Sequence, residues 1–271
     1  MTDLIAKLGV IGGGVMGEAL LSRLIEQQIY QPTEVTVSEP QAQRRETLAQ
    51  QYGVNVTGQN SQAATAIEVL LLAIKPQIFQ TVAAELSAVE MPANTLVVSI
   101  LAGMPLAQLE AAFPGQPVIR VMPNTPALVG AGMSAIAAGV QVKPHHLQQA
   151  KQILNAVGEV VEVPERLMDA VTGLSGSGPG YVAVVIEALA DGGVAAGLPR
   201  AIASQLALQT VLGTAQLLQQ SAMHPAELKD RVTSPGGTTI AGVAQLEQAG
   251  LRSALIQAVL AASQRSQELG S

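Results

Sequence analysis

The chain contains no cysteine and no tryptophan, only two phenylalanines and three tyrosines, and three histidines in 271 residues. Without cysteine there is no disulfide, no cysteine-based zinc site and no thiol nucleophile. His145, His146 and His224 lack the spacing of a metal site, so no metal is expected. Charged residues are also scarce, at 13%, while hydrophobic residues reach 48%. That is enough for a sizeable core, and it leaves more apolar surface than a monomer comfortably carries, which points to an oligomer. A net charge of −6, with no basic cluster beyond the pair Arg44–Arg45, argues against a nucleic-acid partner. The longest apolar stretch, Tyr181 to Leu198, carries Glu187 and Asp191 and is too polar to cross a membrane. Asp3 and Lys7 interrupt any leader at the N-terminus. The expectation is a soluble cytoplasmic protein of one large domain or two ordinary ones.

What is present falls into two halves. Apolar, β-rich runs occur at Leu4–Ile11, Glu34–Ser38, Val69–Ile74, Thr95–Leu101 and Pro117–Met122. Helical patterns lie between them at Gly17–Gln28, Gln41–Tyr52, Gln77–Val89 and Leu106–Phe113. Such alternation predicts an α/β domain with a doubly wound parallel sheet. Two more β runs, Met133–Ala137 and Glu159–Val163, flank a helix starting near Pro144. From Glu165 the β signal stops, and the helical patterns are Glu165–Thr172, Gly180–Ala196, Arg200–Gln219, Ala226–Thr233, Thr238–Gln248 and Leu251–Leu269. The predicted division is therefore residues 1–164 and an all-α domain of residues 165–271. The second is rich in Ala and Gly and poor in aromatics, and is expected to complete its core against a second copy of itself.

The stretch "LGVIGGGVMG" sets a buried strand directly before G-x-G-x-x-G, with Gly12, Gly14 and Gly17 in the three positions. The first glycine permits a tight turn, the second lets a pyrophosphate approach the backbone, and the third lets helix and strand pack closely. The following helix N-terminus offers free amides to phosphates. At the first strand–helix junction of an alternating domain the motif predicts dinucleotide binding; a glycine-rich turn without a ligand is the alternative. The second strand ends at Ser38 or Glu39. A serine there, with Arg44 or Arg45 nearby, favours NADPH, whereas an inward Glu39 favours NADH; NADPH is the expected cofactor, with NADH the alternative. "LLLAIKP" ends in Lys75, which either meets the cofactor or caps the sheet edge. "VSILAG" and "RVMPNTPALVGAG" also end strands at this rim, and Asn124 is either a polar group near the nicotinamide or a turn-stabilising residue.

The stretch "TSPGGTT", residues 233–239, interrupts the helices with two glycines, a proline and four hydroxyls. Ser234 suits an N-cap and Pro235 the first helical position. Gly236 and Gly237 clear side chains from the backbone, so the loop reads as a carboxylate or phosphate nest at a helix N-terminus, or else as an ordinary connector. It holds no His, Lys or carboxylate, which suits a reaction whose chemistry a cofactor supplies.

"ELKDRVTSPGGTTIAGVAQLE", "DAVTGLSGSGPGYV" and "ADGGVAAGLPR" resemble the helical domain of the pyrroline-5-carboxylate reductases, and "GVIGGGVMG", "LLAIKP" and "RVMPNTPALVGAG" their nucleotide domain, in the same order. The resemblance spans nearly the whole chain. It implies a Rossmann domain followed by a helical dimerisation domain, with rings of dimers in many members, and reduction of 1-pyrroline-5-carboxylate to L-proline by NAD(P)H. By the same resemblance the dinucleotide is held by Gly12, Gly14, Val15, Met16, Gly17, Ser38, Asn60, Ile74 and Lys75, with Ala102 and Asn124 at the rim. The substrate carboxylate falls to Ser234, Gly237, Thr238 and Thr239; Thr239 orients the ring nitrogen, and Glu165 and Asp230 neighbour the substrate. A β-hydroxyacid dehydrogenase is the rival enzyme; it needs a catalytic lysine, and Lys229 is the only lysine after position 151. A redox-sensing NADP-binding module without catalysis would have no use for the hydroxyl-rich loop.

Overall fold

The computed structural model describes residues 7–65 and 67–270. The first half forms β1 (Leu8–Ile11), α1 (Val15–Glu26), β2 (Val35–Ser38), α2 (Ala42–Tyr52), β3 (Asn55–Thr57), α3 (Asn60–Ala63), β4 (Val69–Leu72), α4 (Phe79–Leu86), β5 (Leu96–Ser99), α5 (Leu106–Ala112), β6 (Val118–Met122), β7 (Gly132–Ala138), α6 (Pro144–Asn155), β8 (Gly158–Glu162) and α7 (Met168–Val171). Of the expected first strand, Leu4 to Ala6 lie outside the described residues, as does Asp3, on which the absence of a leader was argued.

The eight strands form one sheet in the order β3-β2-β1-β4-β5-β6-β7-β8. The chain leaves the β3 edge through α3 and re-enters beyond β1 at β4, so a crevice opens between β1 and β4 at the carboxyl ends of the strands. Pairings from β3 to β6 are parallel. The β6–β7 pair is antiparallel, a departure from the expected parallel sheet. Only a 3-10 turn at Thr125–Val129 lies within that connection, too little chain for the crossover that a parallel neighbour requires. The short strand β3 was not foreseen, since three residues with Asn55 exposed carry no readable alternation.

β1, β4 and β5 are buried along their whole length, as strands covered on both faces should be. Successive side chains serve opposite faces. Leu8, Val10, Val69 and Leu71 pack with Leu20 and Leu24 of α1, Leu48 of α2 and Ile153 of α6. Ile11, Leu70 and Leu72 pack with Phe79 and Leu86 of α4, Leu109 of α5 and Met168 of α7.

The chain divides into two compact units, one running to Gly176 and resuming at Ala262, the other Ser177–Ala261. The expected division at Pro164 differs from this. Met168 is fully buried in the core of the first unit, and Glu165 bonds to the backbone of α5, so the segment after Pro164 stays with the sheet. That segment continues as a π-helical stretch, Thr172–Gly176.

The second unit contains α8 (Gly178–Ala195), α9 (Arg200–Ser221), α10 (Pro225–Arg231), α11 (Thr238–Gln248) and the first half of α12 (Leu251–Gly270). The end of α12 belongs to the first unit, where Ser266 Oγ donates to Asp169 Oδ1 at 2.7 Å. α8 and α9 meet through small side chains: Ala190, Ala203 and Ala207 are buried between them with Ile186 and Val194 against them. Much of the rest of α9 is apolar and exposed, including Ile202, Leu206, Leu208, Leu212 and Leu217.

Candidate functional site

Two regions carry the sequence-predicted site residues, one in each compact unit. In the first, Gly12 adopts φ +103°, where a Cβ would lie 2.5 Å from the Ala73 carbonyl oxygen. A Cβ on Gly17 would lie 2.3 Å from the Gly12 carbonyl oxygen, so α1 packs directly on the turn. Gly14 differs: nothing lies within 4 Å of where its Cβ would be, and its backbone is open to a ligand. Gly14 also caps α1 without a side-chain bond. The first-turn amides of Val15, Met16 and Gly17 have no intrahelical acceptors, and the helix dipole adds a positive end for a phosphate. Val15 is exposed, and Met16 packs partly against the core.

β2 ends at Ser38, which is buried and donates from Oγ to Asn60 Oδ1 at 2.7 Å. Gly12, Ser38, Asn60 and Ile74 line a single cleft of about 290 Å³ together with Thr81 and Glu85 of α4. Thr81 and Glu85 went unnoticed in the sequence; their i,i+4 spacing on a helix after β4 is the signal that puts both on the cleft side. Glu85 accepts a bond from Asn60 Nδ2. Glu39 does turn inward, but not toward this cleft: Oε2 accepts from the Gly13 amide at 3.1 Å and Oε1 from the Gln41 amide at 3.0 Å. Glu39 thus takes the inward position expected to favour NADH, but it does not line the cleft that holds Ser38 and Asn60.

The arginine pair splits. Arg44 Nε donates to the Gly13 carbonyl at 2.9 Å, and its Nη2 pairs with Glu18. Arg45 Nη1 donates to the carbonyls of Glu39 and Pro40, both at 2.8 Å, and its guanidinium covers Gly58, which lines the cleft. Tyr52 donates to Glu18, and its phenol is held above its ordinary range, chiefly by burial and then by that bond.

Lys75, Ala102 and Asn124 follow β4, β5 and β6 at the same sheet edge but do not line this cleft. Lys75 and Ala102 are exposed. Asn124 is a turn clasp: its Oδ1 accepts from the Met133 amide at 2.8 Å and its Nδ2 donates to the Ser175 carbonyl at 3.1 Å. Glu165 Oε1 accepts from the Leu106 amide, capping α5, and pairs at 3.2 Å with the buried Arg120.

In the second unit α11 spans the expected Thr238–Gln248, but its N-cap is not the expected one. Gly237, not Ser234, is the N-cap of α11, and Thr238 is its first residue. Gly236 takes φ +66° and the Gly237 amide donates to the Ser234 carbonyl at 3.0 Å, a turn that helical dihedrals cannot run through. The amides of Thr238 and Thr239 thus occupy the first turn, without intrahelical acceptors and without a capping side chain. Ser234 Oγ would lie 2.3 Å from a Cβ on Gly237, so a side chain there would have to turn the serine hydroxyl aside. Asp230 is exposed and pairs with Lys229 at 2.6 Å. This gives the one lysine of the region a carboxylate partner rather than a free catalytic position. The arrangement can hold an anion by backbone amides and orient it with hydroxyls.

Comparison with known proteins gives matches in both halves of the chain. Residues 165–269 match the family profile of pyrroline-5-carboxylate reductase dimerisation, and residues 7–103 that of NADP oxidoreductase, coenzyme F420-dependent. The pyrroline-5-carboxylate reductase of Synechocystis sp. is 62% identical over 265 residues, covering 97% of this chain and 98% of that protein. The chain belongs to the pyrroline-5-carboxylate reductase family. Among solved structures, a pyrroline-5-carboxylate reductase from Coxiella burnetii superposes with a TM-score of 0.93 at 33% identity, over 98% of this chain and 99% of that one. The Plasmodium falciparum pyrroline carboxylate reductase with NADP bound gives 0.85 at 31% identity, over 98% of each chain.

Proposed function

We infer that this chain reduces 1-pyrroline-5-carboxylate to L-proline, the last step of proline synthesis, with NADPH as the hydride donor. The observation that carries this reading is the uncapped N-terminus of α11 behind Gly236 and Gly237, furnished with hydroxyls and no acid or base, in a chain that matches these reductases end to end. The residues present fit a dinucleotide: Gly14 leaves open backbone at an uncapped helix start, and Ser38, Asn60 and Ile74 line a cleft beside it. Gly12, Gly14 and the amides of Val15 to Gly17 would hold the pyrophosphate, Ser38 and Asn60 the adenosine ribose, and Arg45 its 2′-phosphate. When bound, NADPH supplies the hydride that reduces the carbon of the C=N bond. Ser234, Gly237 and the amides of Thr238 and Thr239 receive the substrate carboxylate, and the Thr239 hydroxyl orients the ring nitrogen, with Asp230 nearby. The proton on that nitrogen comes from water or arrives with a protonated imine. Catalysis rests mainly on holding the reacting partners together, an effect worth several kcal/mol. The test is NADPH consumption on mixing the protein with pyrroline-5-carboxylate, with proline as the product. NADPH that stays unoxidised at high enzyme would sink the reading.

The active form is a homodimer built through the helical unit, with rings of dimers as the larger assembly. α9 is long and apolar enough to cross a membrane, yet it lies within the segment that matches the dimerisation profile. Its exposed leucines are read as the surface that a second copy covers, in a cytoplasmic protein.

A further inference from the structure

Both peptide planes that flank Gly13 are held. The Gly13 N–H donates to Glu39 Oε2, and its carbonyl accepts from Arg44 Nε. Neither partner is near Gly13 in sequence; Glu39 follows β2 and Arg44 sits in the first turn of α2. Each partner is itself fixed. Glu39 is buried and its other oxygen takes the Gln41 amide. Arg44 pairs with Glu18, which also accepts from Tyr52 Oη at 3.0 Å. A Cβ on Gly13 would lie 2.6 Å from Leu48 Cδ1, so α2 packs closely on this glycine. The neighbouring Gly14, by contrast, faces open space and starts α1 without a cap.

We propose that Glu39 and Arg44 are positioning residues: Glu39 locks the Gly12–Gly13 peptide plane and Arg44 the Gly13–Gly14 plane, and together they aim the Gly14–Gly17 amides at the dinucleotide pyrophosphate. Arg44 is then not a ligand of the 2′-phosphate. Its hydrogen bonds are directed at Gly13 and Glu18, whereas Arg45 leans over the cleft that holds Ser38 and Asn60. The two arginines, adjacent in sequence, act on different parts of the cofactor. Each peptide plane rotates as a unit, so the Arg44 bond to the Gly13 carbonyl also fixes the Gly14 N–H in the same plane, while the Glu39 bond fixes the plane before it. Glu18 has a second function here: in the first turn of α1 it complements the helix dipole, and it holds the guanidinium that grips the turn before the same helix.

The inference rests on the dinucleotide reading above, and one titration series separates the two. NADPH and NADH are titrated into the full-length protein and its Arg44→Met, Arg44→Lys and Arg45→Met variants, with melting temperature and the KM for pyrroline-5-carboxylate measured in parallel. For Arg44→Met the Kd for NADPH and NADH should rise by the same factor, roughly ten-fold, as a lost charge-assisted hydrogen bond predicts. The KM for the imine should stay within about two-fold. Lysine keeps the charge but lacks the fork that reaches Gly13 and Glu18 together, so Arg44→Lys should lose part of the same affinity for both cofactors. If Arg44→Met does not fold, Arg44→Lys carries the test alone. Arg45→Met should weaken NADPH and leave NADH unchanged. A loss confined to NADPH in the Arg44 variants would make Arg44 a phosphate ligand and overturn the proposal. So would a fall in melting temperature with both Kd values unchanged, because Arg44 would then be only structural. Wild-type protein that binds neither dinucleotide would instead overturn the dinucleotide reading, and this proposal with it.

Discussion

The two compact units bury their apolar residues in opposite ways. In the first, the central strands β1, β4 and β5 are fully enclosed, and helices seal both faces of the sheet. In the second, the buried apolar residues among those described are Ala190, Ala203 and Ala207, while α9 shows leucines on several sides. One unit has a private core. The other has bulk on its outside and small residues within, the pattern of a surface meant for a second copy. The contrast extends to the ligands. The dinucleotide cleft is built by packing, with glycines where a Cβ would collide. The hydroxyl loop is exposed and owes its shape to Gly236 and the Ser234–Gly237 turn.

The sharpest way to break this comparison is a charge on the outside of α9. Leu206 is 53% exposed in the single chain. If a partner covers it, Leu206→Glu buries an unpaired carboxylate at a cost of several kcal/mol. The expected result is complete loss of the dimer in light scattering, with helical circular dichroism falling as the second unit loses its shared core. A dimer that survives would mean that the apolar face of α9 is not the interface.

Next in size is Gly17→Val. The valine Cβ would stand 2.3 Å from the Gly12 carbonyl, against backbone that cannot give way easily. Overpacking of this kind costs about 1–3 kcal/mol of folding stability, and displacing the turn should weaken the Kd for NADPH on the order of ten-fold or more. The dimer should persist, because the second unit is untouched. Equal loss of both would show that the two units do not stand independently.

Such independence was only partly legible in the sequence. The continuous apolar runs of β1, β4 and β5 announced their own burial, and the glycine spacing located the turn after β1. Periodicity reports burial but not strand direction, so the antiparallel β7 could not be read; the short β6–β7 link decides it. The compact units do not coincide with the division predicted after Pro164, where the dimerisation profile also begins: Glu165 and Met168 look like the start of a helical array, and only packing joins them to the sheet unit. The Ser38–Asn60 bond and the Gly13–Glu39 bond join residues far apart along the chain, where local patterns are silent. At the other end, periodicity gave the range of α11 as Thr238–Gln248, but serine and proline, which match helix-start preferences, precede a left-handed Gly236 and leave the N-cap to Gly237.

A smaller effect is expected at the hydroxyl loop, where no core is disturbed. Thr239→Ala leaves the first-turn amides of α11 in place and removes the hydroxyl assigned to the imine nitrogen. kcat should fall about ten- to a hundred-fold, the value of one hydrogen bond to a charging group, while NADPH binding stays unchanged. Gly237→Val would be a poorer probe, because its Cβ collides with Ser234 Oγ and remakes the loop itself. Parent kinetics in Thr239→Ala would remove Thr239 from the reaction.

The smallest expected effect tests the private core of the first unit through pH. His146, in the first turn of α6, is buried; its Nδ1 accepts from the Lys143 amide at 3.1 Å, and its Nε2 is buried without a partner. Burial first, then the charges of His145 and Lys143, hold its pKa below the ordinary value of 6.5. The folded state therefore resists the proton that the unfolded chain accepts. Stability from this group is complete above the ordinary histidine range, and it declines as pH falls from there toward the folded pKa. A drop of a few degrees in melting temperature across that interval is the scale to look for in the wild type. His146→Gln keeps an acceptor for the Lys143 amide, as glutamine at this position of a capping box does, and it removes the titration. The variant should lose the slope without losing the fold. If its melting temperature falls with acid as steeply as the parent's, the proton is taken up elsewhere, and His146 has no part in the acid sensitivity of the sheet unit.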